Sequence, residues 1–331
     1  MQQRNLGPFS VSAIGLGCMN MSMGYGPVAD ENDSAKLLNA ALDQGYSFLD
    51  TAAMYGMGHN EELIGKYLCG RRHEYTLASK CGIFRGKDGN TEINGRPEVL
   101  QRTCEASLKR LNTEVIDLYY LHRADPSVPL EDSVGQLSRL VEQGKIQAIG
   151  LSEVCDDNLR LAHRVHPISA LQSEYSLWSR TPERKILASC EELGIAFVPF
   201  SPLGRQFLTG KSPGLDEMTG DDLRQGIARP RFEPENLDKN RKLLPALAQI
   251  AQSRDCSMAQ LALAWLLAQG DNIIPVPGTK HIDYMVENAG AGELQLDDSV
   301  VDELNQLINE DTVSGRRYTD ALMASTDSEK D

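Results

Sequence analysis

Eight short runs rich in β-branched and aromatic residues, alternating with amphipathic stretches, constrain this chain more than any other feature. The runs cover 15–19, 48–52, 75–80, 116–122, 146–152, 170–176, 196–201 and 273–278. Each has the length and residue types of a buried strand. The stretches between them repeat apolar residues three and four apart. In 33–44, Leu37, Leu38, Ala41 and Leu42 share one helix face, and Gly45 ends the helix. Further helices are predicted over 61–68, 97–111 with Pro97 in the first turn, 130–143, and 183–193 with Gly194 after it. Strict alternation means a parallel sheet with helical crossovers. Eight repeats in 331 residues suit a single (β/α)8 barrel better than an open sheet.

Two segments depart from the repeat. Residues 4–14 read as an N-terminal β-hairpin turning at Gly7-Pro8, placed to plug the barrel bottom. A long polar loop, 204–240, separates the seventh and eighth strands; a loop of that length is functional or mobile. The expected organisation is one barrel domain over 1–310 and a flexible C-terminal tail over 311–331.

Bulk properties narrow the function class. The chain is 41% hydrophobic and 24% charged, with a net charge of −14. That balance argues against nucleic-acid or anionic-membrane partners. No apolar run approaches the roughly 20 residues of a membrane span, and the first residues lack the apolar core of a secretory signal. Seven cysteines, at 18, 69, 81, 104, 155, 190 and 256, form no Cys-x-x-Cys pair. Reduced thiols in a cytoplasmic protein, with no metal site, are expected. Cys81 is read as a small apolar residue beside Lys80.

Four polar residues fall where strands end: Asp50, Tyr55, Lys80 and His122. In a barrel, all carboxyl ends of the strands meet at one mouth, so residues distant in sequence share one site. A phenol, an ammonium, a carboxylate and an imidazole together suit proton donation to a substrate oxygen. A free tyrosine, with a pKa of about 10, donates poorly at neutral pH. A nearby Lys80 cation would stabilise the phenolate, Asp50 would hold the lysine, and His122 would orient the substrate oxygen. Taken singly, each has a structural reading as an ion pair or a packed side chain.

The sequence resembles the aldo-keto reductase superfamily from about Leu6 to Asn309. The likeness rests on Asp50-Thr-Ala-x-x-Tyr55-Gly, Ser79-Lys80, Asp117-Leu-Tyr-x-Leu-His122, Gly150-Leu-Ser152, the 172–178 motif from Gln172 to Trp178, the 200–205 motif from Phe200 to Arg205, and Pro277-Gly-Thr-Lys280. Within it, the chain looks most like the branch of pyridoxal reductases and plant auxin-induced-type reductases. The resemblance implies a (β/α)8 barrel, NADPH (with NADH a possible second cofactor), no metal, and Asp50, Tyr55, Lys80 and His122 as a catalytic tetrad with Tyr55 as acid. It implies that Ser152 and Gln172 hold the nicotinamide carboxamide and Phe200 stacks on the ring. Ser201, Leu203, Gly204 and Arg205 would meet the pyrophosphate, Gly278, Thr279 and Lys280 the 2′-phosphate, and Glu287 and Asn288 the adenine. No Gly-x-Gly-x-x-Gly opens a helix after a strand, so a Rossmann half is not expected.

Three positions depart from the family pattern. Glu153 stands where many members have Asn, Gln206 where the branch usually has Gly, and His281 where relatives often have Arg. The first bears on the carboxamide grip, the second on a backbone needing positive φ, and the third on NADPH preference. Met19, Tyr25, Met54, Phe84 and Trp178, with Met21 and Met23 nearby, are expected to form an adaptable apolar substrate wall for an aromatic or cyclic carbonyl, pyridoxal-like compounds included. Arg123 either meets an anionic substrate or pairs with Asp125. The expected activity is reversible reduction of an aldehyde or ketone. The alternative is an NADPH-binding regulatory subunit resembling channel β-subunits, though the chain shows no evident partner-binding N-terminal extension. Nothing in the surface pattern marks a dimer, and the oligomeric state stays open.

Overall fold

The computed structural model describes residues 1–86, 91–219 and 222–331. Seven parallel strands form one sheet: β3 (Leu16–Gly17), β4 (Phe48–Asp50), β5 (Thr76–Cys81), β8 (Ile116–Leu121), β9 (Ile146–Ser152), β10 (Ile168–Glu174) and β11 (Ala196–Phe200). The segment 273–278 closes the ring between β11 and β3. It bridges Phe197 through Ile273 and Gly17 through Gly278. Ile274 and Val276 N–H groups donate to Phe197 O and Pro199 O, while Pro275 O and Pro277 O accept from Gly15 and Gly17. The two prolines thus sit on the side of the strand where only acceptors are needed, which is how an eighth strand tolerates residues without an N–H donor. The fold is a (β/α)8 barrel.

Helices α1 (Glu31–Asp43), α2 (His59–Tyr67), α3 (Pro97–Arg110), α4 (Leu130–Glu142), α5 (Asp156–Val165) and α6 (Ile186–Leu193) follow successive strands. After them come α7 (Pro234–Arg241), α8 (Leu244–Ser253), α9 (Met258–Leu267), α10 (Ile282–Gly290), α11 (Asp298–Leu307) and α12 (Asp320–Ser325). The predicted helix over 183–193 is divided: a 3₁₀ turn at Thr181–Arg184 precedes α6, because Lys185 leaves helical geometry (φ −150°, ψ −48°).

Strand alternation builds the interior. Phe48, Ala78, Leu118, Tyr120, Ala148, Ala170, Ala196, Val198, Ile274 and Val276 pack together inside the barrel, and Leu6 and Val11 of the N-terminal hairpin join them from below. That hairpin pairs β1 (Gln3–Leu6) with β2 (Phe9–Ser12) around Gly7-Pro8. Arg4 fastens it by donating to the carbonyls of Leu267, Gly270 and Ile273. A Cβ on Gly150 would come within 2.3 Å of the Tyr120 ring, so glycine leaves room for that ring in the interior. The larger apolar layer lies between sheet and helices and includes Cys81. Among the described residues, no helix is long and apolar enough to cross a membrane.

A second hairpin, absent from the sequence reading, pairs β6 (Ile83–Arg85) with β7 (Thr91–Ile93). The loop expected over 204–240 carries 3₁₀ turns at Phe207–Thr209, Leu215–Glu217 and Arg229–Phe232 before α7. Residues 311–331, expected as a flexible tail, lie against the barrel. Arg317 is buried there in ion pairs with Glu153 (2.7 Å) and Glu174 (3.5 Å), and Ser328 N donates to Glu153 O.

Candidate active site

The same alternation that packs the interior delivers the polar residues to the mouth. Phe48 and Asp50 share a parity, as do Ala78 and Lys80, Tyr120 and His122, Ala148 and Ser152, Ala170 and Gln172, and Val198 and Phe200. One face of each strand is therefore apolar below and functional at its carboxyl end. Above them opens a cavity of about 850 Å³ lined by Asp50, Tyr55, His122, Ser152, Gln172 and Phe200, among others.

Lys80 is the centre of the constellation. Its Nζ donates to Asp50 Oδ1 (2.6 Å), to Thr51 O (2.8 Å) and, more loosely, to Tyr55 Oη (3.4 Å). Asp50 Oδ2 accepts from Gln172 Nε2 at 2.8 Å. Burial alone would push the Lys80 ammonium down, but Asp50 and Tyr55 more than offset it and hold it above its ordinary value. The Tyr55 and His122 rings meet edge to face, with centroids 6.1 Å apart. Burial raises the Tyr55 phenol and Lys80 opposes that rise; the net direction is upward, contrary to the expected shift toward neutrality. Tyr55 therefore holds its proton at neutral pH. Burial first, then Lys80 and Arg123, hold His122 well below its usual value, so the imidazole is neutral and able to hydrogen-bond an oxygen.

Tyr55 stands at the head of a short turn whose position depends on Asn60, a residue the sequence reading missed. Asn60 is fully buried in α2. It donates to Cys18 O (2.8 Å) and Ser22 Oγ (2.9 Å) and accepts from Thr51 Oγ1 (2.6 Å), tying the first loop of the mouth to the loop after β4. A polar residue at the second position of a helix, beside Glu61, carries no pattern that distinguishes it from a solvated one.

Around the rim, Ser152, Gln172, Phe200, Ser201, Leu203, Arg205, Gly278, Thr279, Lys280, Glu287 and Asn288 all line the cavity, as does His281. Gly204 does not: a Cβ there would point into the Trp178 indole. Ser201, Gly204, Arg205 and Gln206 all have positive φ (50°, 58°, 55° and 79°), so the backbone curls tightly at this rim. Gln206, in place of glycine, occupies a left-handed position and steadies it by accepting from Arg224 (2.8 Å). His281 caps the N-terminus of α10 without a side-chain hydrogen bond, which leaves the positive end of the helix toward the cavity. Lys280 Nζ donates to Pro27 O (2.6 Å) and Tyr25 O (3.3 Å), linking this rim to the first loop. Arg205 is held by Glu174 at 2.6 Å. A curled backbone, a free helix N-terminus, several cations and the Phe200 ring suit a phosphate-bearing dinucleotide.

Three substrate-wall expectations need correction or extension. Met19, Tyr25, Met54 and Met23 line the cavity, but Phe84 and Trp178 do not. In β6, Ile83 and Arg85 face the cavity, and alternation turns Phe84 the other way. Trp178 is buried, stacked on Phe207 at 4.2 Å and edge-on to Phe232. Tyr318, Leu322 and Thr326 of the C-terminal segment add to the wall. Arg123 lines the cavity and does not pair with Asp125. It donates to His122 O (2.7 Å) and Ser152 Oγ (3.0 Å), while Asp125 accepts from Gly95 N and Ser127. Glu153 does not line the cavity. It accepts from Arg317, Ser328 Oγ and Glu174 N. Burial would raise its carboxyl, but Arg317, Arg123 and that amide hold it at about 2. Among the described residues, no group of three His, Cys, Asp or Glu side chains is arranged to hold a metal ion.

The aldo/keto reductase family model matches residues 13–309. The chain belongs to that family. It is 42% identical to probable aldo-keto reductase 1 of Glycine max, over 95% of this chain and 90% of that one. It is also 42% identical to the aldo-keto reductase yakc [NADP(+)] of Schizosaccharomyces pombe, over 95% and 94%. The solved glycerol dehydrogenase of Gluconobacter oxydans superposes with a TM-score of 0.84 at 27% identity, covering 92% of this chain and 94% of that one. As an aldo/keto reductase the protein is an oxidoreductase, and Asp50, Tyr55, Lys80 and His122 sit at the mouth where a barrel places its chemistry.

Proposed function

We propose that the protein reduces an aldehyde or ketone to the alcohol with NADPH, and that Tyr55 delivers the proton. The observation that carries this reading is the placement of Lys80 between Asp50 and Tyr55 at the base of a cavity that also presents a neutral His122. When bound, NADPH supplies a hydride to the carbonyl carbon. The residues of the chain manage the oxygen. Tyr55, protonated at neutral pH, donates its phenolic proton to the developing alkoxide. The Lys80 ammonium stabilises the phenolate left behind, and the 3.4 Å contact would tighten as charge appears on the phenol. Asp50 keeps the lysine charged and aimed. The His122 imidazole hydrogen-bonds the same oxygen and fixes its approach.

Ser152 and Gln172 suit the nicotinamide carboxamide, and Phe200 the ring face. The 201–205 rim suits the pyrophosphate, Gly278, Thr279 and Lys280 the 2′-phosphate, and Glu287 and Asn288 the adenine. The apolar wall of Met19, Met23, Tyr25, Met54 and Ile83 favours an aromatic or cyclic carbonyl, with pyridoxal-like aldehydes as candidates. The test follows loss of the reduced-nicotinamide absorbance over a panel of aromatic aldehydes, cyclic ketones and pyridoxal. Turnover ranked toward ring-bearing carbonyls supports the reading. Tight NADPH binding without turnover on any of them contradicts it and favours a regulatory NADPH-binding subunit.

A further inference from the structure

A second cavity, of about 490 Å³, shares the C-terminal segment with the first: Tyr318 lines one and Arg317 the other. Its walls are the 178–184 segment, the Arg229–Phe232 turn and the C-terminal segment. Five arginines line it, Arg180, Arg184, Arg231, Arg316 and Arg317, against the carboxylates of Glu310, Asp320 and Glu329. The lining itself thus carries more arginines than carboxylates, in a chain with a net charge of −14.

Four of the arginines have carboxylate partners. Arg180 pairs with Glu183, Arg184 with Glu310, Arg316 with Asp320, and Arg317 with Glu153 and Glu329. Among the described residues, Arg231 has none within ion-pair distance. Its Nη1 donates to Ser179 Oγ (2.6 Å) and its Nε to Gly315 O (3.2 Å), and its guanidinium lies 4.8 Å from the centre of the Trp178 ring. Neutral oxygens and an aromatic face do not neutralise a cation. Burial, and after it the neighbouring Arg205 and Arg317, hold the Arg231 pKa down at about 10 although Glu174 and Glu329 pull the other way. The Arg231 guanidinium therefore borders a polar cavity large enough for a small ligand without a direct carboxylate contact of its own.

We propose that this cavity binds a small phosphate-like oxyanion, with the Arg231 guanidinium as its principal donor and the more exposed Arg184 and Arg316 at the rim. Planar guanidinium forks match oxyanion geometry, and a charge without a carboxylate partner has the most to gain from one. The rim arginines, 49% and 65% exposed at their side chains, can turn from Glu310 and Asp320 toward the ligand at small cost.

Both tryptophans report on the site, since Arg231 covers Trp178 and Arg180 covers Trp265 at 4.5 Å. The experiment titrates inorganic phosphate into the full-length protein at constant ionic strength and follows tryptophan emission and heat of binding, with and without saturating NADP⁺. The expected result is a saturable change that persists with NADP⁺. Arg231→Gln should weaken it about tenfold or more, as loss of a charged hydrogen bond does, and Lys280→Ala should leave it unchanged. Should Arg231→Gln not fold, the Arg184→Gln, Arg316→Gln double variant replaces it, again with weaker binding expected. No saturable change, a change abolished by NADP⁺ or by Lys280→Ala, or full binding in the arginine variants would overturn the proposal.

Discussion

Two sets of buried charges lie near this mouth, and they are built differently. The Asp50–Lys80 pair and the Glu153–Arg317 pair are almost equally shielded, with side-chain exposures of 4% and 0% against 0% and 6%. Burial does not separate them; saturation does. Glu153 accepts from Glu174 N, from two Arg317 nitrogens and from Ser328 Oγ, so every lone-pair direction is filled inside the protein. Lys80 has two short bonds, and its third donor reaches Tyr55 at 3.4 Å, facing the cavity. A filled network fixes the C-terminal segment to the barrel. In the proposed mechanism the unfilled one keeps a charge in reserve for a group whose own charge changes during reaction.

The largest effect should come from cutting the unfilled pair. Lys80→Met leaves Asp50 as a buried, unpaired carboxylate, which costs about 3–5 kcal/mol of stability. It should also lower kcat for carbonyl reduction on the order of 10³-fold. Denaturant unfolding and steady-state kinetics on the same preparation check both. Arg317→Met tests the filled network: stability should fall by about 3 kcal/mol while kcat stays within about tenfold of wild type. A collapse of kcat comparable to that of Lys80→Met would erase the distinction.

The acid limb sharpens the contrast. Glu153 is held at about 2 in the fold, against about 4.3 when unfolded. A depressed carboxyl stabilises above its unfolded value, and that contribution is lost as pH falls from about 4.3 toward 2. Wild type should therefore lose stability more steeply than Glu153→Gln across that window, measured by unfolding at stepped pH. Next in size is Lys280→Ala, which should raise the Michaelis constant for NADPH about tenfold and that for NADH far less, as removal of one charged contact to a phosphate would. Equal effects on both would remove Lys280 from the 2′-phosphate role. The smallest concerns Gln206, at φ 79°. Gln206→Gly should be more stable than Gln206→Ala by about 1 kcal/mol, because both lose the bond from Arg224 but only alanine keeps the left-handed strain.

What the sequence made legible follows from the range of each interaction. Asp50, Lys80, His122, Ser152, Gln172 and Phe200 are placed by a two-residue period that can be read along a single strand. The Glu153–Arg317 pair spans 164 residues, and nothing in a polar C-terminal stretch of Arg316-Arg317-Tyr318 declares where it docks. Trp178 follows a strand end as a pocket residue would, but the left-handed turn at Gly204 brings Phe207 flat against it and closes it into the core. Phe84 was misplaced because the β6–β7 hairpin, which fixes its facing, is too short to show alternation.

In the proposed mechanism Tyr55 supplies the proton and Lys80 sustains its loss. The direct test measures kcat and NADPH affinity together in Tyr55→Phe, which keeps the ring against His122 and removes only the hydroxyl. The expected result is a fall in kcat on the order of 10³-fold with NADPH affinity within about twofold of wild type. Turnover within about tenfold of wild type would contradict it and require another proton donor at this mouth.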